Sequence, residues 1–587
     1  MTREYSIGDL KVTVDGIDLR DIRWQGVEAI RRIYPVFQDR NWTNRPFRID
    51  ECTIDAAADL ITVRASGTGS FDAEPLRWQL QAKLTATGFD YHFTADTESS
   101  FLRNRLGLCV LHPMASAGSD CRVEHVDGTE TVAVFPRAIS PHQPFVDIRA
   151  ITHILPNGGS ATVRMTGDTF EMEDHRNWTD ASFKTYCTPI TMPFPVAVTP
   201  GTPIEQRVSV TFATGSPASD LPLSPIAIRM EPEATALPRL GTCLSAENPV
   251  LSDAQIDLFS ALDLDHLRIE LDPTVVDAAE RLAAAAYSAA RIGARLRVSA
   301  ICQDPSELQV FASTPTDITA RIDCWYVFSS EHKVTPAEWG PLARTALGPS
   351  FDDVRLGGGT NLYFTELNRE PSDALAFDVL NFSINPQVHA FDDRTLVQNA
   401  MAQQVVAENA AKITEPAELS VSPITLRPRF NPNATDPASD VSNTPLPSDV
   451  DARQHTYFAA NWTAMSIKYL AAANCVDVAT YFEAVGWKGL MESEGGSSDP
   501  VHFTTEAGEL FPVWQVFASL AGMTQAHTCN SSAPELLDAL IVSDENGARR
   551  ALVANWTDLD HAVDLAGHTT MTAAKRSLTV IDLPATQ

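Results

Sequence analysis

The stretch HLRIELDPTVVDAAERLAAAAYSAARIGARLRVSAICQD, from His266 to Asp304, reads as strand, helix, strand. Its outer pieces, HLRIELD and RLRVSAICQD, are short and rich in branched apolar residues. The middle piece, VVDAAERLAAAAYSAARIG, is long and dominated by Ala and Leu, as a helix would be. Strand–helix alternation of this kind implies a parallel sheet, because parallel neighbours need a crossover. The same rhythm extends both ways from this stretch. Strand-like runs recur at RLGTCLSAE (239–247), DCWYVFSSE (323–331), DVRLGGGT (353–360), FDVLNFSINPQ (377–387), ELSVSPITLRPRF (418–430) and CVDVATYFEAVGW (475–487), with a second clear helical pattern at TLVQNAMAQQVVAENAAKI (395–413). Eight units over roughly 280 residues predict a (β/α)8 TIM-type barrel. A doubly wound open sheet would carry a GxGxxG turn after one of its strands, and none is present.

Upstream, the period changes to two. LITVRAS, LRWQLQAKLTATG, FDYHFTAD, DCRVEHVDG, SATVRMTG and QRVSVTFAT alternate apolar and polar residues between Gly, Asn and Asp turns, which predicts an N-terminal β-sandwich over residues 1–225. GSPASDLPLSP (215–225) reads as a linker, followed by the catalytic barrel at 226–525. RALVANWTDLDHAVDL and KRSLTVIDL, within 526–587, read as short C-terminal strands packing on sandwich or barrel. The Pro-, Ser- and Asp-rich segment from Asn431 to Asp451 follows the seventh strand and is expected to loop over the barrel mouth.

A net charge of −31 argues against nucleic-acid partners and anionic membranes, which both require a basic surface. The nine cysteines are scattered without a CxxC pair, and MTREYSIGDLKVTVDG lacks a basic-then-apolar leader pattern, so a cytoplasmic protein is expected. The four Asn-Trp-Thr triplets, at Asn41, Asn177, Asn461 and Asn555, are accordingly read as chance.

No GxSxG elbow, phosphate-binding GxxxxGK[ST] loop or short-range His pair occurs. Chemistry is therefore sought at the C-terminal ends of the barrel strands, where such folds carry it. Strand four supplies Glu331. Strand five runs on to Asn361, Tyr363 and Glu366, strand six to Asn385 and His389, strand seven to Arg427 and Arg429, and strand eight to Glu483 and Trp487. Glu483 lies inside the apolar run VATYFEAVGW, where a carboxylate needs a partner or a cavity. Glu366 has Arg369 at i+3 as a competing structural partner. His389 could equally cap the next helix or pair with Asp392. A separate polar span, FEMEDHRNWTDASFKTYC (170–187), contributes Glu173 and His175, either to a loop completing the site or to a hydrogen-bonded turn.

Several of these segments together resemble the D-apionate lactonase family: RNRLGLCVLHP, FEMEDHRNWTDASFKTYC, GGGTNLYFTELNRE, NFSINPQVHAFDD, TYFEAVGWKGLME and GELFPVWQVFA, in this order from Arg103 to Ala518. The resemblance implies hydrolysis of D-apionolactone to D-apionate and an architecture related to barrel glycoside hydrolases. It carries no residue roles. From strand-end position alone, Glu483 is expected to be the base that activates water. Glu366 or His389 would protonate the leaving oxygen, and Asn385, Arg427 or Arg429 would hold the oxyanion. Tyr363, Trp487, Glu331, Glu173 and His175 would bind substrate, and no cofactor or metal is called for. A retaining glycoside hydrolase on a plant-type glycoside is the alternative, weakened because strand seven ends in LRPRF without an acid. A non-catalytic carbohydrate-binding protein is the third reading.

Overall fold

A computed structural model describes residues 2–71, 74–217, 224–372, 376–430, 445–567 and 569–584. The chain packs as two units. One takes the described residues up to Arg176 and resumes at Ala181, and the other takes Asn177–Asp180 with the described chain from residue 224 onward.

The first unit is built of strands. Its helical turns among the described residues are short 3-10 segments, Met114–Ser116 and the start of His175–Trp178. Alternation dictates its packing: Glu74–Thr85 buries every second residue, so Leu76, Trp78, Leu80, Ala82 and Leu84 enter the core while their neighbours face water. The strands link into one continuous hydrogen-bonded set of seventeen around one large apolar core, with a small second cluster at Val36, Cys109 and Tyr186. The predicted linker falls largely on residues 218–223, outside the described residues.

In the second unit all eight predicted barrel strands form: Arg239–Cys243, His266–Leu271, Arg295–Cys302, Ile322–Ser329, Arg355–Tyr363, Val379–Ile384, Leu419–Ile424 and Val478–Val485. Every adjacent pair is parallel, and Arg239 and Leu240 pair with Val478 and Ala479 to close the ring. The crossovers include the helices Ala278–Ile292, Trp339–Leu347, Ala402–Thr414 and Tyr457–Ala472. Strands covered on both faces are buried throughout, as in Val379–Ile384 and Leu419–Ile424. Gly357 in the fifth strand is required by this packing, since a Cβ there would lie 2.4 Å from the Tyr326 ring.

The N-terminal end of the barrel is closed by charge. Arg297 donates to Asp323 (2.6 Å) and Glu418 (2.9 Å), Arg355 bridges the same two acids, and Arg239 also reaches Glu418. Arg297 Nη1 further donates to Tyr326 Oη (2.6 Å), which donates to Ser420 Oγ (2.9 Å). Each of the two acids meets two or more guanidinium groups; Arg297 is fully buried, while Arg239 and Arg355 stay about a third exposed.

The C-terminal strands form part of a seven-stranded sheet with a strand the sequence reading passed over, Ile226–Ala236, which pairs antiparallel with Gln525–Ser531 and parallel with His561–Leu565. Helix Tyr457–Ala472 packs against this sheet as well as beside the barrel strands, which is why it is buried on nearly every side. Its Lys468 forms a buried pair with Asp538 at 2.6 Å. No helix among the described residues is long and apolar enough to cross a membrane.

Candidate active site

Glu483 owes its position to a bulge. Between the first and eighth strands the register runs from Gly241 opposite Thr480 to Cys243 opposite Glu483, so strand eight holds one extra residue. Phe482 takes up that extra length with φ +53°, and its carbonyl accepts from Thr242 Oγ1 (3.3 Å). Bulges of this kind re-aim a side chain at a barrel rim. The Glu483 carboxylate is 2.9 Å from the Lys488 ammonium, which also contacts Asp449 (2.7 Å). Burial works against that ammonium, but Glu483 and Asp449 outweigh it and raise the Lys488 pKa. Asp449 belongs to the end of the predicted mouth loop; residues 431–444 of that loop lie outside the described residues.

A second irregularity shapes strand five. Gly359 stands opposite Asn381 and Tyr363 opposite Ser383, so two extra residues swell the strand around Asn361. The Asn361 amide donates to Glu270 Oε2 (3.0 Å), and its Oδ1 accepts from Arg268 (3.1 Å) and Arg429 (3.3 Å). Arg429 reaches both Glu270 oxygens, at 3.1 and 2.8 Å. Burial pushes the Glu270 carboxyl up, but Arg429 and Arg268 outweigh it and hold its pKa below the ordinary value. Arg268, Glu270 and Cys243 were not singled out from the sequence. HLRIELD alternates polar and apolar residues, which reads as a strand with a solvent face; inside a closed barrel that polar face is the interior. Cys243 Sγ lies against Arg268, with its pKa raised by burial and held back by Arg268 and Arg429.

The remaining expected residues distribute as follows. Glu366 is on the short helix Phe364–Arg369, its side chain 2% exposed, with Lys333 at 4.0 Å. Burial raises its pKa against the pull of Lys333 and Arg369. Arg369 lies over the Trp178 ring, 5.3 Å from its centroid. His389 does not cap the next helix, a task taken by Asp392; its Nδ1 meets Asp180 Oδ2 at 2.7 Å and its ring packs edge-on to Trp178. Asn385 is buried, its Oδ1 accepting from the Gln387 backbone, while its Nδ2 has no hydrogen-bond partner. Gln387 donates to Asp451 (2.6 Å), which also pairs with Arg453 (2.7 Å) and lies 3.5 Å from Arg427. Tyr363 Oη donates to the Phe430 carbonyl (3.1 Å), and burial pushes its pKa up to about 12.

The other four expected residues are placed as follows. Glu331 is exposed, its backbone N–H bonded to Ser329 Oγ. Trp487 is engaged with its own loop, donating to Ser497 Oγ (3.1 Å) and stacking on Phe503. Glu173 and His175 are held within the first unit, Glu173 by Lys184 (3.0 Å) and His175 by Ser182 Oγ (3.1 Å).

The mouth therefore gathers Arg268, Arg429, Lys488, Arg427 and Arg453 on a chain of net charge −31. These cations are interleaved with Glu270, Glu483, Asp449 and Asp451, so acids and bases lie side by side at the strand ends.

Residues 1–215 match the family description "D-apionate lactonase, N-terminal domain", and residues 240–525 match "D-apionate lactonase, TIM barrel domain". A D-apionate lactonase from Brucella anthropi is 31% identical over 538 residues, covering 88% of this chain and 86% of that protein. Among solved structures, a family 51 alpha-L-arabinofuranosidase from Bifidobacterium longum matches with TM-score 0.40 at 13% identity, over 62% of this chain and 98% of its own. A GH30 endoxylanase from Clostridium papyrosolvens matches with TM-score 0.38 at 11% identity, over 62% and 97%. Likeness this distant bears on no substrate. On the two domain matches and the full-length relative, the chain belongs to the D-apionate lactonase family.

Proposed function

We propose that this protein hydrolyses a small five-membered sugar lactone, D-apionolactone to D-apionate, at the C-terminal mouth of its barrel, and that it does so in the cytoplasm. The compartment rests on nine unpaired thiols, which suit a reducing environment. The domain plan that goes with this reading is a sandwich over 1–225, a (β/α)8 catalytic barrel over 226–525 and a C-terminal strand segment over 526–587.

The observation that carries the reading is a pair of carboxylates in opposite settings at the ends of barrel strands five and eight. Glu483 is ion-paired with Lys488, whereas Glu366 is buried with a raised pKa. Environments that push two carboxyl groups apart assign a base and an acid. Glu483 takes a proton from water as its oxygen attacks the lactone carbonyl carbon. Arg429 and Asn385 stabilise the oxyanion, the latter through its unengaged Nδ2. The ring C–O bond then breaks, and Glu366 gives its proton to the leaving alkoxide. The product is an open hydroxy acid whose carboxylate suits the arginine cluster. Strands five and eight are three positions apart around the ring, so acids at their ends flank a bound sugar ring.

A pH-indicator assay over a panel of aldonolactones, with aryl glycosides alongside, tests this. Turnover of D-apionolactone with negligible glycoside cleavage is expected. Efficient glycoside cleavage without lactone turnover would overturn the reading in favour of a glycosidase, and sugar binding without any turnover would favour a binding protein.

A further inference from the structure

Glu270 has no place in the acid–base pair, yet it is a heavily coordinated carboxylate at the mouth. It accepts from Arg429 through both oxygens, from Asn361 at 3.0 Å and from Arg268 at 3.3 Å, and its side chain is still 32% exposed. Arg268 is anchored beneath it, its Nε donating to Ser299 Oγ (2.9 Å) and its Nη2 to Asn361 Oδ1. These four residues come from strands two and five and the end of strand seven, so they tie separate parts of the ring into one unit. Arg429 spends Nη2 on Glu270 and one Nη1 contact on Asn361, leaving Nε and the rest of Nη1 for a ligand. A guanidinium fixed at one edge and open at the other is already aimed, so less side-chain freedom is lost when it grips an anion.

The position favours a functional role over a purely structural one. The barrel's structural ion network lies at the opposite end of the strands, on Arg297, Asp323, Arg355 and Glu418. Glu270 is two residues beyond Arg268 toward the C-terminal end of strand two. Arg268 and Glu483 both stand opposite Cys243 in the barrel register. Strands two and eight are separated only by strand one, which places their backbones on the order of 10 Å apart at a strand spacing of about 4.8 Å.

We propose that Glu270 is a positioning residue for lactone hydrolysis: with Asn361 it fixes Arg429 so that the guanidinium meets the lactone carbonyl and then the product carboxylate. Oε1, with one protein donor against three on Oε2, retains capacity to accept a substrate hydroxyl. The inference rests on the lactonase reading above.

The test is a double-mutant cycle on the full chain, with Glu270→Gln, Arg429→Lys and the pair assayed on D-apionolactone beside the parent enzyme. Glu270→Gln is expected to lower kcat on the order of 10²-fold, the scale of a lost oxyanion donor. The double variant should lose no more than the worse single one, because the two side chains act as one unit. Losses that multiply, or a folded Glu270→Gln enzyme within threefold of the parent kcat, would overturn the proposal. Should Glu270→Gln not fold, Asn361→Ala removes the shared amide without changing charge. It should lower kcat at least tenfold at an unchanged thermal midpoint, and parental kcat would refute the inference. A parent enzyme that opens no lactone would instead defeat the lactonase reading, and this inference with it.

Discussion

The two ends of the barrel hold similar residues put to different use. At the N-terminal end Arg239, Arg297 and Arg355 share Asp323 and Glu418, two largely buried acids. At the C-terminal end Arg429 and Lys488 are also paired, but with carboxylates about a third exposed. The contrast lies in exposure: Asp323 and Glu418 are largely buried, whereas Glu270 and Glu483 keep about a third of their side chains open, and the function proposed above puts substrate at the open set.

The comparison can be broken by mutation. The largest effect is expected from Glu483→Gln, with kcat on D-apionolactone falling 10²- to 10⁴-fold, the usual size for a general base, and the thermal midpoint nearly unchanged. Glu366→Gln should cost on the order of 10²-fold and alter the pH profile. A general acid must be protonated, and a raised Glu366 pKa carries the protonated form to higher pH. The parent rate should therefore fall as pH rises through that pKa, and this alkaline limb should disappear from the residual rate of the variant.

Glu418→Gln should act in the opposite sense. It leaves Arg297, Arg239 and Arg355 sharing one acid, and a broken buried pair costs about 3–5 kcal/mol. Denaturant unfolding should show that loss while kcat of the folded enzyme holds. The Glu418 carboxyl is buried, which pushes it up, but Arg297, Arg239 and Arg355 hold its pKa below the ordinary value. Its contribution is present above the unfolded pKa and is lost as pH falls through the folded one, so the parent should lose stability in acid more steeply than the variant. The smallest effect belongs to Glu331→Gln. That side chain is exposed, and kcat should stay within about threefold, as for surface changes away from any site.

Much of this was legible in the sequence, for physical reasons. All eight barrel strands were readable because strands buried on both faces show as short, dense apolar runs. Ile226–Ala236 escaped because it carries Arg229, Glu231, Pro232 and Glu233 on an exposed stretch of sheet. Glu483 and Arg429 were visible from their places at strand ends. Glu270 and Arg268 were not, because a polar residue inside a barrel and one facing solvent leave the same period-2 trace, and only closure distinguishes them. His389 shows a different limit: its partner Asp180 is 209 residues away in sequence, whereas local reasoning offered Asp392.

The most direct test of the division between the two ends is the rate of D-apionolactone hydrolysis per folded molecule, measured for Glu483→Gln and Glu418→Gln in one experiment. The account predicts that Glu418→Gln works at close to the parent rate while Glu483→Gln is slower by at least 10²-fold. A folded Glu483→Gln enzyme that matches the parent, or a folded Glu418→Gln enzyme as slow as Glu483→Gln, would contradict it.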